Sequence, residues 1–381
     1  MASFDQMIYL DNNATTQPSK EVVDAICAAL NVDWANPSSS HFPGKRAANA
    51  VSVARSQVAR LISADPEKIV FCSGATEANE AVLRHHAKKC STLITSAAEH
   101  PSVCGYYDHY QYNTEIIQID DSGLWNIDML EFVLKKTQGS ALVAFTWANG
   151  ETGVLQNAEK ICDLAKKHNA RCLVDATQVV GRIPLDVSTL KADYLSFCAH
   201  KLHGPKGIGV LVQLTGQDPV IMAIGGGQEK ARRGGTENVP GIVGLGAACK
   251  TRRENLKKDI LHMKEMRDRF EQNVRRHLPD ITINGEKVLR VPNTSSIMFP
   301  GVDGMALVAR LEARDVICSQ VSACSSMQPE PSPALLAMGL PRDDAFSSVR
   351  FAVSVYSIEA EIDTASDLIA EEVGFLREIM V

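Results

Sequence analysis

Cys172-Leu173-Val174 runs directly into Asp175-Ala176-Thr177-Gln178, and further on Tyr194-Leu195-Ser196-Phe197 runs into Cys198-Ala199-His200-Lys201. Both are short apolar runs that end on residues able to do chemistry. A short, wholly apolar run bounded by polar residues reads as a strand buried on both faces. Similar runs stand at Ile69-Val70-Phe71, Leu93-Ile94, Ile116-Ile117-Gln118-Ile119, Leu142-Val143-Ala144-Phe145 and Ile208-Gly209-Val210-Leu211-Val212. Helical patterns separate them, for example over 78–89 and 157–168. Buried strands alternating with helices predict an α/β fold, with a mainly parallel sheet flanked by helices. Ligands of such sheets bind at the carboxyl ends of the strands, where Asp175 and Lys201 fall.

A long amphipathic segment follows, with Leu256, Ile260, Met263, Met266, Phe270, Val274 and Leu278 at steps of three or four before Pro279. Such spacing predicts a helix with one apolar face. Beyond it the texture changes to single strands and short helices, at 295–299, 305–311, 349–353 and 362–379. The expected division is a large domain over 14–258 and a smaller α+β domain made of 1–13 and 259–381.

The bulk properties exclude several classes. At 381 residues, 45% hydrophobic and 22% charged, the chain is an ordinary globular protein with room for a large core. A net charge of -6 gives no reason to expect nucleic acid or an anionic membrane as partner. The start lacks both the basic and the apolar region of a signal peptide, and no apolar run approaches a membrane span. A cytoplasmic location is therefore expected. Ten cysteines without a Cys-x-x-Cys pair argue against a zinc site or a disulfide frame, and no metal site is expected. Gly204-Pro205-Lys206-Gly207 matches neither a P-loop nor a dinucleotide fingerprint.

Four runs carry chemistry. Phe71-Cys72-Ser73-Gly74-Ala75-Thr76 passes from strand to helix start, where free N–H groups make an anion site, although the same run also serves as an ordinary cap. Asp175 at a strand end can pair with a protonated pyridine nitrogen or act as an N-cap. Lys201, beside His200 and before a Gly-Pro turn, is badly placed for a merely solvated charge. An amine that works through a Schiff base must be able to lose its proton, which burial and a neighbouring cation promote. Val321-Ser322-Ala323-Cys324-Ser325-Ser326 sets a cysteine in a small, polar, turn-prone run, where a thiolate would be accessible. The first three meet the demands of a cofactor with a phosphate, a pyridine ring and an aldehyde.

The order of these runs resembles the cysteine desulfurases of the NifS/IscS type, in the class V aminotransferase group of fold-type I pyridoxal phosphate (PLP) enzymes. The resemblance runs from Tyr9-Leu10-Asp11-Asn12-Asn13-Ala14-Thr15-Thr16 and Asn36-Pro37-Ser38-Ser39-Ser40-His41 through Glu99-His100 and Gly225-Gly226-Gly227-Gln228-Glu229. It closes with Gly235-Thr236-Glu237-Asn238, Ser322-Ala323-Cys324-Ser325-Ser326 and Val349-Arg350-Phe351. It implies pyridoxal 5'-phosphate as cofactor of the large domain and L-cysteine as substrate, converted to L-alanine. Lys201 resembles the Schiff-base lysine, and His100 the imidazole that stacks on the ring. By the same resemblance Asp175 holds the pyridine nitrogen, Gln178 the ring hydroxyl, and Ala75, Thr76 and His200 the phosphate. Thr236 is expected to reach in from a second subunit of a homodimer. Arg350 resembles the arginine that grips the substrate carboxylate, and Cys324 the nucleophile that carries the persulfide to an acceptor protein, either an iron–sulfur scaffold or a thiolation enzyme.

Three positions depart from the family pattern. Gly150 stands in Asn149-Gly150-Glu151 where the family has a second asparagine, which leaves Asn149 as the nearby candidate for the substrate. Cys198 replaces a phosphate-binding serine, and Val321 replaces a glycine before the nucleophile run. These departures keep two rivals open: a selenocysteine lyase or other class V PLP enzyme, and a desulfurase-like protein of reduced activity acting as a partner or scaffold. The end at Val381, without the longer tail of housekeeping members, leads to the expectation of a dedicated sulfur pathway. Borohydride reduction of the holoprotein should fix the cofactor on Lys201, read by peptide mapping. An adduct on Lys206 would overturn the assignment.

Overall fold

The computed structural model describes residues 7–90, 92–105, 109–215, 219–320 and 330–379. All the short apolar runs of the first two hundred or so residues become strands of one seven-stranded sheet. In spatial order these are Ile69–Cys72, Gly209–Gln213, Tyr194–Cys198, Arg171–Asp175, Ala141–Thr146, Thr92–Ser96 and Asn113–Ile117. All run parallel except Gly209–Gln213, which is antiparallel to both neighbours. The chain from Cys198 to Gly209 is too short for a crossover helix, so the strand must turn back beside the one it follows. The edge strand begins and ends earlier than the apolar run 116–119 suggests. Its Ile119 forms an isolated bridge with Trp125.

Strand residues alternate between two cores, as a pleat with period two requires. Phe71, Ile94, Val143, Phe145, Val174, Leu195 and Phe197 pack on one face. Val70, Leu93, Leu142, Ala144, Leu173 and Tyr194 pack on the other. Burial on both faces is why these runs lack polar alternation.

The amphipathic segment is the second half of one helix, Val239–His277. Asn238 caps it by accepting from the Gly241 N–H, and Arg275 and Arg276 close it with positive charge, favourable at a helix C-terminus. Its first half escaped the periodic reading because glycines interrupt it. A Cβ at Gly244 would stand 2.8 Å from Ile26, and one at Gly246 would stand 2.7 Å from Ala54. The glycines thus let the helices Lys20–Val32 and Phe42–Ile62 approach closely, and that packing outweighs their poor helix propensity. Val239, Ile242, Leu245 and Cys249 join the sheet core, whereas Met263, Met266, Phe270 and Val274 join a separate core.

That third core lies under a four-stranded antiparallel sheet, ordered Ser319–Gln320, Ser348–Ala352, Thr294–Met298 and Thr282–Ile283. The terminal helix Glu359–Ile379 covers it and begins three residues before the expected 362–379. Strand Ile8–Tyr9 pairs with Val316–Ile317, which ties the start of the chain to this half. We propose the domain division of the sequence reading, with its boundary inside the long helix. Phe270 stacks on Phe351 with ring centroids 4.9 Å apart. Phe270→Ala should cost about 3–5 kcal/mol, seen as a lower denaturant midpoint. An unchanged midpoint would show that this core carries little of the stability.

Candidate active site

The candidate residues collect where five parallel strands end. Ser73, Ala75 and Thr76 follow Ile69–Cys72, Glu99 and His100 follow Thr92–Ser96, and Asn149 follows Ala141–Thr146. Asp175 is the last residue of its strand, and Cys198, His200 and Lys201 lie at the end of the next.

Asp175 is buried and held by neutral donors only: the Thr177 N–H at 2.9 Å and Asn79 Nδ2 at 2.8 Å. Among the described residues no cation pairs with it. Asn79 Nδ2 also donates to Ser102 Oγ at 3.0 Å, and Asn79 Oδ1 accepts from Ser196 Oγ at 2.5 Å. Ser102 Oγ lies 2.9 Å from His100 Nδ1, and the Ser102 N–H donates to the same nitrogen at 3.1 Å. Because Nδ1 accepts a main-chain hydrogen, the neutral ring carries its proton on Nε2. Crowding around the imidazole, then the Lys201 charge, hold its pKa below the ordinary value despite the opposing pull of Asp175. His100 is thus a neutral ring of fixed tautomer, linked to Asp175 through Ser102 and Asn79.

Lys201 Nζ donates to the carbonyls of Asn13 at 2.5 Å and Ala14 at 2.6 Å. Burial, reinforced by Arg182 and Arg350, pushes its pKa down to about 8, against the pull of Cys198 and Asp11. An appreciable neutral fraction exists near neutrality, as amine chemistry requires. The His200 ring, pushed down to about 4 by burial and then by Lys201 and Lys206, is neutral and lies 3.2 Å from Thr15 Oγ1. Cys198 is buried and its thiol is pushed up to about 12, chiefly by desolvation. It is a neutral wall, not a nucleophile.

Gln178 Nε2 donates to the Asn13 carbonyl at 3.1 Å. Asn149 is occupied by its own turn: Oδ1 accepts from the Glu151 and Thr152 N–H groups, each at 2.9 Å, and Nδ2 donates to the Ala98 carbonyl. The Gly150 carbonyl accepts from Asn13 Nδ2 at 3.0 Å and from Arg350 Nη1 at 3.3 Å. Arg350 pairs with Asp11 at 2.7 Å, and its buried Nε has no partner among the described residues. Glu151, pushed up to about 7 by burial, accepts from Ser332 Oγ, the cap of helix Pro333–Ala337. Glu99 is likewise pushed up to about 7, although Ser96 and the Thr146 N–H hydrogen-bond its carboxylate.

Ala75 and Thr76 open the helix Ala75–Ala87, which no side chain caps, so its first-turn N–H groups suit an anion. Thr236 is exposed beside Gly235 (φ 102°) and its side chain makes no hydrogen bond among the described residues. Cys324 and Val321 lie outside the described residues. Asn13, Asn79, Ser102 and Arg182 were missed by sequence reasoning. Only Asn13 lay in a quoted motif, and nothing in the local sequence marks the other three.

The sequence profile of the class-V aminotransferase family matches residues 8–364, and the chain belongs to that family. A cysteine desulfurase of Trichormus azollae is 40% identical over 98% of this chain and 94% of its own length. A NifS-like protein from Rickettsia africae superposes with a TM-score of 0.88 at 30% identity, over 96% of this chain and 99% of that one. A solved structure of SspA in complex with cysteine gives 0.79 at 28% identity, over 92% and 100%.

Members of this family use pyridoxal phosphate, and the residues fit it. The uncapped helix suits a phosphate, the cation-free Asp175 suits a protonated ring nitrogen, and the Lys201 amine suits an aldehyde. Asn79→Asp should lower both the unfolding midpoint and the PLP content, because it sets a second carboxylate against Asp175. Asn79→Leu should cost about 1–3 kcal/mol by leaving Asp175 and Ser196 short of a partner. Wild-type PLP content in both variants would show that Asn79 does not orient Asp175.

Proposed function

We propose that the protein is a pyridoxal phosphate-dependent cysteine desulfurase that converts L-cysteine to L-alanine and leaves the sulfur as a persulfide on Cys324. The observation that carries this reading is the convergence of Lys201, Asp175, His100 and Arg350 around the strand ends. The full-length similarity to cysteine desulfurases supports it. When bound, pyridoxal phosphate supplies an aldehyde that captures the substrate amine and a ring that draws off electrons from the substrate carbons.

The chain's own residues do the rest. Asp175 holds the charge of the ring nitrogen, and Asn79 and Thr177 keep its two oxygens aimed. Lys201, with a pKa near neutrality, both carries the cofactor and accepts the α-proton. His100 donates from Nε2, the nitrogen its hydrogen bonds leave protonated. Arg350 takes the substrate carboxylate, its guanidinium braced by Asp11 and the Gly150 carbonyl. The Cys324 thiolate attacks the substrate sulfur. An S–S bond forms, the Cβ–S bond breaks, the electron pair left on Cβ takes a proton, and Lys201 returns the α-proton to Cα, giving alanine. The persulfide is passed to an acceptor protein, and Thr236 completes the site of a second copy in a homodimer.

Cys324→Ser should retain the cofactor and bind cysteine but lose sulfide release in the presence of a thiol reductant, because a serine hydroxyl is a poor nucleophile toward sulfur. Cys318→Ser should be nearly neutral, since Cys318 is buried beside strand Val316–Ile317 and desolvation raises its pKa. Equal loss in both variants would mean that the nucleophile is misassigned.

A further inference from the structure

Arg182 is 4% exposed, and among the described residues no carboxylate pairs with it. A buried cation without a counter-ion is costly unless hydrogen bonds hold its charge. Nη1 donates to Asn13 Oδ1 at 2.9 Å and to Gln178 Oε1. Nη2 donates to the carbonyls of Asn12 and Lys201, each at 3.2 Å. All four terminal hydrogens are thus used, all on neutral acceptors, and the acceptors come from three separate stretches of chain. Asn12 and Asn13 belong to the N-terminal segment, Gln178 to the turn after Asp175, and Lys201 to the turn after the neighbouring strand.

Those stretches meet again at one atom. The Asn13 carbonyl accepts from both Lys201 Nζ and Gln178 Nε2. Asn13 can hold its carbonyl there only while its side chain is fixed, and Arg182 binds that side chain together with Asn293 Nδ2 at 3.0 Å. We propose that Arg182 is a positioning residue of the cofactor site, a fork that sets Asn13, Gln178 and the Lys201 main chain in one register and lays an uncompensated positive charge against the Lys201 amine. This rests on Lys201 being the cofactor-bearing lysine, and it explains why a cation is kept where a neutral amide would cost less to bury.

Other groups share the field at Lys201, and the test must separate them. Cys198 faces it from its own strand end, Arg350 from strand Ser348–Ala352 and Asp11 from the N-terminal segment, with His100 and His200 also within range. Arg182 itself is held below its ordinary pKa, to about 10, by burial first and by Arg350 as well. It stays charged throughout the pH range in which Lys201 titrates. Its charge favours the neutral amine, so removing that charge must raise the Lys201 pKa.

The experiment is competitive acetic anhydride labelling of Lys201 against pH, read by peptide mass spectrometry on the full chain freed of cofactor with hydroxylamine. Wild type, Arg182→Gln and Arg182→Lys are compared, and PLP dissociation is then measured on each reloaded variant. Arg182→Gln should move the labelling midpoint up by about one pH unit. Arg182→Lys should keep the midpoint near wild type yet release PLP roughly tenfold faster, since an ammonium cannot span the fork's four acceptors. An unmoved midpoint in a folded Arg182→Gln protein overturns the electrostatic role. Wild-type PLP release from Arg182→Lys overturns the fork, and that arm holds even where Arg182→Gln does not fold. Borohydride trapping on each holoprotein reports separately on Lys201. Absence of cofactor there removes the functional reading without touching the labelling result.

Discussion

Asn13 is the contact on which the site depends. Its side-chain oxygen accepts from Arg182 and Asn293, its side-chain nitrogen donates to Thr294 Oγ1 and the Gly150 carbonyl, and its main-chain carbonyl receives Lys201 and Gln178. Both ends of its side-chain amide and its main-chain carbonyl are engaged in a residue that is 1% exposed. That is the condition under which a buried amide stabilises rather than costs. These bonds also join the strand ends of the large sheet to Asn293 and Thr294, at the start of an inner strand of the small antiparallel sheet. A change at any one of them is felt at the lysine.

The electrostatics follow from that crowding. Lys201, Arg182 and Arg350 stand within one another's fields, with Asp11 as the carboxylate that pairs with one of them. Such a surplus of positive charge suits a substrate that brings a carboxylate and a cofactor that brings a phosphate. It also costs stability. The folded pKa of Lys201 lies below its unfolded value, so folding is penalised where the unfolded lysine would be protonated. The penalty is complete below about pH 8 and fades as pH rises from there through the unfolded value. The three apolar cores supply the burial that offsets it.

The large sheet was legible in sequence because each strand is buried on both faces and is bounded by polar residues. The placement of Asp175 and Lys201 was legible because each lies at or just beyond the carboxyl end of such a strand. The first half of the long helix was not, since its glycines serve contacts with the helices Lys20–Val32 and Phe42–Ile62 that no local pattern records. Nor were Asn79 and Arg182. A polar residue that bridges distant segments looks, in sequence, like any surface residue of its type. The resemblance named Asp175 and His100 separately, and only the fold shows Asn79 and Ser102 joining them.

Gly150 is one of the three positions read as departures from the family pattern, and its surroundings give that glycine a physical sense. Its φ is not in the left-handed region, so the backbone does not demand glycine. The restriction comes from Gln178: a Cβ at position 150 would lie 3.3 Å from Gln178 Nε2, tighter than ordinary packing, and would have to displace that amide. Gln178 is not free to move, because Asn13 holds one end of its amide and Arg182 the other. The missing side chain at 150 and the arginine at 182 are therefore linked through Gln178. An asparagine restored at 150 must either push against an amide that Arg182 fixes or settle in a different rotamer. The carbonyl of residue 150, shared by Asn13 and Arg350, keeps its role whichever side chain is attached. What glycine removes is a side chain that would crowd Gln178. What it keeps is the main-chain brace on Arg350.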